Sequence, residues 1–215
     1  MEFLTTKARN EDTGITFVFA HGAGAPMDSD FMNDVSELFA DQGITVVRFE
    51  FPYMQKRRET GKKRPPDRAP KLLACWQEAL AQLTSTYSSI FIGGKSMGGR
   101  MATMLAADPE VHAQQLPIKG CACFGYPYHA PGKPEKVRNE HFNDVFVPIL
   151  ILQGDRDAFG AKEEVSNYQV FEKVSHHWLN DGNHDLKPRK VSGTTHEANL
   201  QEAVKVAAEW MKQMQ

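Results

Sequence analysis

Short apolar runs alternate along the chain with segments in which apolar residues recur every three or four positions. Such runs are typical of strands buried on both faces, and the spaced segments are typical of amphipathic helices. The predicted strands are 2–5 (a short edge strand), 15–19, 44–49, 90–92, 120–124, 147–152 and 175–179. The first predicted helix begins near 28–29 and ends at Gly43, and the others cover 71–86, 100–107, 165–171 and 196–213. This order predicts an α/β fold, with a mostly parallel sheet covered by helices on both faces, in a single domain over 1–215 without a large cap domain.

Residues 90–100 are the most informative stretch, because a predicted strand is followed there by a G-x-S-x-G motif centred on Ser96. A strand, a sharp turn with a central serine and a helix are the elements of a nucleophile elbow. The turn requires residues without a Cβ two positions before and after the serine, and Gly94 and Gly98 meet that requirement. Met97 then presents its N–H at a helix start, where it can stabilise an anion.

Two other interpretations of this stretch involve no nucleophile. A phosphate-binding loop also ends in Gly-Lys-Ser, but it requires a glycine at position 89, where the chain has Ser89. A structural glycine-rich turn, in which Ser96 only caps the following helix, also fits the pentapeptide. The rest of the chain has to decide between that turn and a nucleophile.

An elbow serine needs an acid and a base from later parts of the chain, in the order Ser, acid, His. One predicted strand ends just before the acidic segment 153–160, and another ends just before the turn 180–186, which contains His184. Catalytic groups of open α/β sheets gather where the carboxyl ends of the strands meet. Three candidate residues at three such ends favour Ser96 as a nucleophile.

Asp157 and Asp155 compete for the role of the acid. We favour Asp157 because it lies further out in its loop, whereas Asp155 directly follows Gly154 and resembles a turn residue that hydrogen-bonds to the backbone. His184 is the preferred base because its Gly/Asn turn can bend the ring back towards the serine. The histidines that lie in a predicted strand, at a helix start or before the acid are His176, His177, His196, His112, His129 and His141. In this prediction His184 accepts the Ser96 proton and Asp157 holds the ring.

The His-Gly-Ala-Gly segment at 21–24 follows the first strong strand, where a loop that helps to bind the oxyanion belongs. We predict the Ala23 N–H, with that of Gly24 as the next choice, as the partner of the Met97 N–H in an oxyanion hole. Gly22 and Gly24 would let the backbone approach the substrate, and the histidine is expected to fix the loop through its hydrogen bonds. A simple tight turn is the alternative.

Composition adds mainly exclusions. The chain has 215 residues, 41% of them hydrophobic, and no apolar stretch approaches the roughly 18–20 residues that cross a membrane. No signal peptide is visible, and the three cysteines form no disulfide framework, so a cytoplasmic location is expected. No H-E-x-x-H or C-x-x-C spacing occurs, and we expect neither a metal nor a cofactor.

Positive charge is concentrated in residues 55–71, which contain eight bases and two acids, whereas the chain as a whole carries a net charge of −2. A single basic segment on an acidic body argues against a nucleic-acid-binding protein, which usually has a wider basic face. Gly61 and Pro65-Pro66 predict a loop without long regular structure. Its arginines either pair with acids on the body, or Arg57, Arg58 and Arg64 recognise an acidic group on the substrate.

Taken together, the motifs resemble those of the α/β-hydrolases, specifically the small KANL3/Tex30-like branch. The matching pieces cover nearly the whole domain, and the basic proline-rich piece is the most specific of them. They are 19–25 (FAHGAGA), 51–54 (FPYM), 57–58 (RR), 63–70 (KRPPDRAP), 93–100 (GGKSMGGR), 153–157 (QGDRD) and 182–188 (GNHDLKP). The resemblance implies an α/β-hydrolase fold with a Ser96–Asp157–His184 triad, but it names no substrate.

Two functions of different classes follow. The first is a serine hydrolase that forms an acyl-enzyme on a small-molecule ester or thioester, with peptidase or acyltransferase activity left open. The second is a catalytically silent module that keeps the sheet and uses residues 55–71 to hold an acidic partner. In neither case do we expect a nucleic-acid or membrane partner, and the sequence does not determine the oligomeric state.

Overall fold

Seven strands form one sheet in the order β1-β3-β2-β4-β5-β6-β7. The computed structural model describes residues 1–215. The strands are β1 Phe3–Thr6, β2 Thr16–Ala20, β3 Thr45–Phe49, β4 Ile90–Lys95, β5 Ile118–Phe124, β6 Ile149–Gly154 and β7 Val174–Leu179. The helices are α1 Asp30–Asp41, α2 Pro52–Thr60, α3 Ala69–Leu83, α4 Met97–Leu105, α5 Pro109–Ala113, α6 Lys162–Val165 and α7 His196–Gln213, with a 3₁₀ turn at Glu140–Asn143.

All neighbouring strands are parallel except β1, which runs antiparallel to β3 at one edge. The burial of the strands explains their sequences. Every residue of β2, β4 and β6 is buried, whereas β1 and β7 at the edges are only partly covered. The predicted class, an α/β-hydrolase fold with helices on both faces, is therefore confirmed.

Two separate cores lie on the two faces of the sheet, and alternate residues of each strand enter alternate cores. Phe17 of β2 packs with Phe39 of α1 and Met211 of α7 on one face. Val18, the next residue along, packs with Trp76 of α3 and Met101 of α4 on the other face. The central strands are therefore packed between two layers of helices, which holds their carboxyl ends in fixed positions.

The strand order reverses at β2, which lies between β3 and β4. The chain leaves β2 towards one face through α1 and reaches β4 only after α2 and α3 on the other side. Ala20 at the end of β2 pairs in register with Gly94 near the end of β4. The loops that follow these two strands therefore open into the same crevice, which is where open α/β sheets bind ligands.

The structure extends β4 beyond the predicted run 90–92, through Gly93 and Gly94 to Lys95. The glycines do not break the strand; they let neighbouring chains approach it. A Cβ on Gly93 would lie 2.0 Å from the Ala122 carbonyl oxygen of β5. The following helix also begins earlier than predicted, at Met97.

A helix, α2, occupies the first part of the basic segment, where a loop without long regular structure was predicted. Pro52 stands in its first turn, where a missing N–H is tolerated, and Gly61 ends it in the left-handed conformation with φ of 66°. Only Tyr53 and Met54 are buried, so the sequence has no apolar stripe that could reveal the helix.

The predicted helix at 165–171 is wrong. Helical structure in this region is limited to α6, Lys162–Val165, and a turn follows it. The short helix α5 and the 3₁₀ turn were not predicted, because each is too short to show a periodic pattern. No helix of the structure has the length and apolar character needed to cross a bilayer.

Two partly buried histidines generate a prediction about stability in acid. Burial lowers the pKa of His141 and that of His176 to about 4. The unfolded chain, with histidine pKa values of about 6.5, therefore binds protons between about pH 6.5 and pH 4 that the folded protein does not bind. As the pH falls through that window, the free energy of unfolding should decrease by about 1.4 kcal/mol per pH unit for each of them.

The variant His176→Gln should lose about 1.4 kcal/mol per pH unit of that dependence, because His176 no longer titrates. Urea unfolding at a series of pH values measures it. Parallel stability profiles for the variant and the wild type across the window would contradict the prediction.

Candidate active site

Ser96 lies alone between β4 and α4, with a backbone conformation (φ 52°, ψ −115°) that is unusual for a residue with a side chain. The close packing around it explains the two glycines of the motif. A Cβ on Gly94 would lie 2.5 Å from the Ala20 carbonyl oxygen, and one on Gly98 would lie 2.4 Å from the same atom. The end of β2 therefore presses on the turn, and the turn projects Ser96 from the sheet.

A continuous chain of hydrogen bonds joins Ser96 to a buried carboxylate. His184 Nε2 lies 2.8 Å from Ser96 Oγ, and His184 Nδ1 lies 2.8 Å from Asp157 Oδ2. Because the carboxylate accepts, Nδ1 carries the proton and Nε2 presents its lone pair to the serine hydroxyl. The Asp157 side chain is fully buried, whereas that of His184 is 20% exposed. The proton acceptor thus faces the solvent side of the site.

Asp157, and not Asp155, is the carboxylate that reaches the histidine. Its Oδ1 accepts the backbone N–H of Phe159 at 2.8 Å, and its Oδ2 also accepts Gln153 Nε2 at 2.9 Å. Asp155 instead accepts the backbone N–H of Asp181 at 3.0 Å, so it joins two loops and not its own turn. Of the two aspartates, therefore, only Asp157 is in the position that the predicted acid requires.

Gln153, at the end of β6, was not singled out from the sequence. Its side chain is completely buried, and its Oε1 accepts the Tyr126 N–H at 2.6 Å. Its Nε2 faces the Tyr126 carbonyl, Asp157 and the Gly160 carbonyl. Gln153 therefore connects the Asp157 carboxylate to two neighbouring backbone segments.

The loop that contains His184 is fixed from two sides. The ring of Phe159 stacks on the imidazole, with 4.1 Å between centroids. Asp181, three residues before His184, accepts hydrogen bonds from Arg156 and from the side chain and backbone of Arg189. The Arg189 guanidinium lowers the pKa of Asp181 to about 2, so this carboxylate stays charged over the ordinary pH range.

The loop predicted to bind the oxyanion is held by its carbonyl groups. His21 Nδ1 donates to the Gly22 carbonyl at 2.7 Å, and Tyr53 Oη donates to the Ala23 carbonyl at 3.0 Å. In a trans peptide the N–H points away from the C=O, so the Ala23 and Gly24 N–H groups point away from these donors. No carbonyl or side chain of the protein accepts either N–H. Both therefore remain candidate oxyanion donors.

His21 has the structural role expected from the sequence. It is completely buried, and its Nε2 accepts the Phe51 N–H at 3.1 Å. Burial lowers the pKa of His21, which keeps the ring neutral while one nitrogen donates and the other accepts.

A cleft of about 300 Å³ opens beside Ser96. Its walls combine the 22–25 loop, the start of α1, the elbow and the histidine loop. The lining is mostly apolar, and Lys95 and Asp185 are its charged members. The lining residues are Gly22, Ala23, Gly24, Ala25, Ser29, Phe31, Met32, Lys95, Ser96, Phe159, His184 and Asp185. Met97, the other predicted donor, is the first residue of α4, so its N–H has no partner within the helix.

Neither Arg57 nor Arg58 lines that cleft. Arg58 is bound by two carboxylates, those of Asp28 at 2.7 Å and Glu50 at 2.5 Å, which favours its pairing with the body over binding of a substrate. Arg57 donates to the Gly24 carbonyl at 3.4 Å and forms no ion pair. Arg57 therefore contacts the 22–25 loop without lining the cleft. Arg64 is exposed and also unpaired.

No group of three or more His, Cys, Asp or Glu side chains is arranged to hold a metal ion. The three cysteines are buried and free, and none of them lines the cleft. The reactive groups that the cleft does present are the serine hydroxyl, the imidazole with its carboxylate, and the backbone N–H groups beside them.

Comparison with known proteins identifies the same architecture. The family described as "Alpha/beta hydrolase domain" matches residues 13–212. An alpha-beta serine hydrolase homologue from Coxiella burnetii is 17% identical, with a TM-score of 0.69 over 96% of this chain and 89% of that one. Est1E from Butyrivibrio proteoclasticus, with ferulic acid bound, is 16% identical, with a TM-score of 0.70 over 99% and 94%. A monoacylglycerol lipase from Paleococcus ferrophilus is 14% identical, with a TM-score of 0.67 over 100% of both chains.

The contact between the elbow and β2 generates a prediction. Gly94→Ala should lower the free energy of unfolding by about 1–3 kcal/mol or more, because the new methyl group meets backbone atoms that cannot move aside. The matched control is Gly24→Ala, where a Cβ would have no atom within 4 Å. Chemical denaturation measures both variants, and equal stability of the two would contradict the proposed packing.

Proposed function

The chain belongs to the alpha/beta hydrolase family, and on that basis we propose that it is a serine hydrolase that cleaves a small ester or thioester through an acyl-enzyme. The observation that carries the proposal is the hydrogen-bonded path from Ser96 Oγ through His184 to Asp157. A serine that only caps a helix needs no such path. Indeed, the Ser96 side chain makes no capping hydrogen bond to α4.

The geometry supports the following acylation step. His184 Nε2 removes the Ser96 proton as Oγ attacks the carbonyl carbon, and the fully buried Asp157 stabilises the resulting imidazolium. The negative charge that develops on the carbonyl oxygen is received by the N–H groups of Met97 and Ala23, with Gly24 available beside them. The imidazolium then protonates the leaving group. Water then attacks the acyl-enzyme through the same steps, which releases the carboxylic acid and restores the serine.

The size and lining of the cleft support a short, mostly apolar acyl group. About 300 Å³ is at the lower end of the volumes of small-molecule sites, and Phe31, Met32 and Phe159 supply apolar walls. The monoacylglycerol lipase named among the similar structures acts, by its name, on an ester, which is the same class of bond. A thioester presents the same carbonyl to Ser96, so it belongs to the proposed class.

We also propose, from the motifs, that the chain belongs to the small KANL3/Tex30-like branch and, from its three free, buried cysteines, that it acts in the cytoplasm. Neither the half-buried Arg57 nor the exposed Arg64 forms an ion pair, so these two keep the proposed role of binding an acidic group on the substrate, whereas Asp28 and Glu50 withdraw Arg58 from it. The acyl pocket itself requires no such charge.

The decisive experiment is labelling with a fluorophosphonate, combined with hydrolysis of p-nitrophenyl esters from acetate to laurate. The probe should label the wild type, and Ser96→Ala should lose the label and reduce kcat/KM by about 10³-fold or more, because no other group attacks the carbonyl. Short esters should be preferred. Ser85→Ala is the matched control, because Ser85 is exposed after α3 and lies outside the cleft.

Equal labelling of wild type and Ser96→Ala would defeat the proposal. It would leave the binding module as the alternative, in which Arg57 and Arg64 charge reversal should abolish retention of an acidic partner while Ser96→Ala leaves retention intact.

Gln153 allows a separate test of how the acid is held. Gln153→Leu should lower kcat by about 10-fold or more and the free energy of unfolding by about 1–3 kcal/mol, because Asp157 loses a donor and the buried Tyr126 N–H loses its acceptor. The control Gln82→Leu removes an exposed glutamine on α3 and should change neither quantity. A Gln153→Leu enzyme with wild-type kcat would show that Asp157 is positioned without it.

A further inference from the structure

Lys95 is the only buried lysine of the chain, with 7% of its surface exposed, and it directly precedes Ser96. Its Nζ donates to the backbone carbonyl of His184 at 2.6 Å. The same atom lies 3.2 Å from Asp185 Oδ1 and 5.3 Å from the centroid of the Phe31 ring. One ammonium group therefore connects the residue before the nucleophile with the backbone of the base.

Nothing in the fold requires a charge at this position. Burial of an ammonium group is unfavourable unless it is paired and hydrogen-bonded, and an aliphatic side chain of the same length would fill the space without that penalty. Burial lowers the pKa of Lys95, and the neighbouring Asp185 opposes that effect. The carboxylate of Asp185 thus favours the charged form of Lys95 in the wall of the cleft.

The surrounding backbone leaves room for this contact. Gly125, after β5, has φ of +66°, and a Cβ there would lie 2.6 Å from the His184 carbonyl oxygen and 3.0 Å from Lys95 Nζ. Any other residue at 125 would press on both atoms of the hydrogen bond. The elbow, the loop after β5 and the histidine loop therefore meet at this point.

We propose that Lys95 is a positioning residue for the base: its ammonium group anchors the backbone of His184 beside the nucleophile, and, balanced by Asp185, sets the charge around the imidazole. The inference rests on the proposed function of Ser96, since it assigns a second residue to the same site. The role of Lys95 can nevertheless be tested by NMR, which requires no turnover of substrate.

The charges that face His184 come from three parts of the chain. Asp157, in the loop after β6, contacts Nδ1 of the ring. Lys95, at the end of β4, donates to the backbone carbonyl of His184, and Asp185 is the next residue in the histidine loop. From α7, His196 Nε2 contacts the Asp185 carbonyl at 2.8 Å. Removing Lys95 leaves the negative groups unopposed and favours the imidazolium, whereas removing the Asp185 charge has the opposite effect.

The test uses Lys95→Met, Asp185→Asn and the double variant of the full chain. Two quantities are measured: the pH midpoint of the His184 ring signal by NMR, assigned with His184→Asn, and the acid limb of kcat/KM. Lys95→Met should move both midpoints up by about 0.5 to 1 pH unit, and Asp185→Asn should move them down by a similar amount. In the double variant the midpoints should return close to those of the wild type.

kcat should behave differently from the midpoints. The double variant should remain about 10-fold or more below the wild type, as should Lys95→Met, because both lack the hydrogen bond to the His184 carbonyl. Matched controls are Lys119→Met, which removes an exposed charge from β5, and Asp34→Asn, which removes one from α1; neither should change any readout.

Lys95→Met should fold, because Asp185 is 63% exposed and stays solvated without its partner. If Asp185→Asn is too unstable to measure, Lys95→Met and the double variant still carry the test. Unchanged midpoints in folded Lys95→Met would overturn the proposal, as would full recovery of kcat in the double variant. If the wild type neither hydrolyses esters nor reacts with the fluorophosphonate, the proposed function fails, and the NMR midpoints still decide whether Lys95 and Asp185 act on His184.

Discussion

The close approach of the elbow to the end of β2 is the constraint on which the site depends. The Ala20 carbonyl oxygen occupies the space that a Cβ at 94 or 98 would need, so the turn can exist only with glycines there. The same approach brings the 22–25 loop against the serine, since a Cβ on Gly22 would lie 3.8 Å from Ser96 Cβ. One packing contact therefore accounts both for the strained backbone of Ser96, the proposed nucleophile, and for the position of the backbone N–H groups beside it.

Asp157 and His184, the proposed acid and base, depend on a second constraint, which is that buried polar groups must have hydrogen-bond partners. Asp157 is fully buried, and such a carboxylate is stable only when its oxygens are all engaged. The Phe159 N–H, Gln153 and His184 supply those partners. Because a partly satisfied network is unfavourable, each member holds the others in place, and the imidazole is oriented before any substrate arrives.

The sequence predicted the residues that short local motifs mark and missed those that only tertiary contacts reveal. Ser96, Asp157 and His184 follow strand ends and turn residues, which leave a pattern that a single sequence shows. Gln153 closes an apolar run and looks like any polar residue at the end of a strand; only the packing shows that it faces Tyr126 and Asp157. In the same way, α2 was hidden because a surface helix with only two buried residues has no apolar stripe.

Position 95, directly before the serine, is not restricted by the packing of the elbow. The turn restricts 94 and 98 by steric exclusion, but it places no such limit on 95, whose side chain leaves the strand end towards the histidine loop. A buried charge there is unfavourable for folding alone, and an apolar residue would pack as well. The partners of Lys95 are the His184 carbonyl and the carboxylate of Asp185, so the interaction joins the end of β4 to the histidine loop. That pairing is what an electrostatic role requires and what simple packing does not explain.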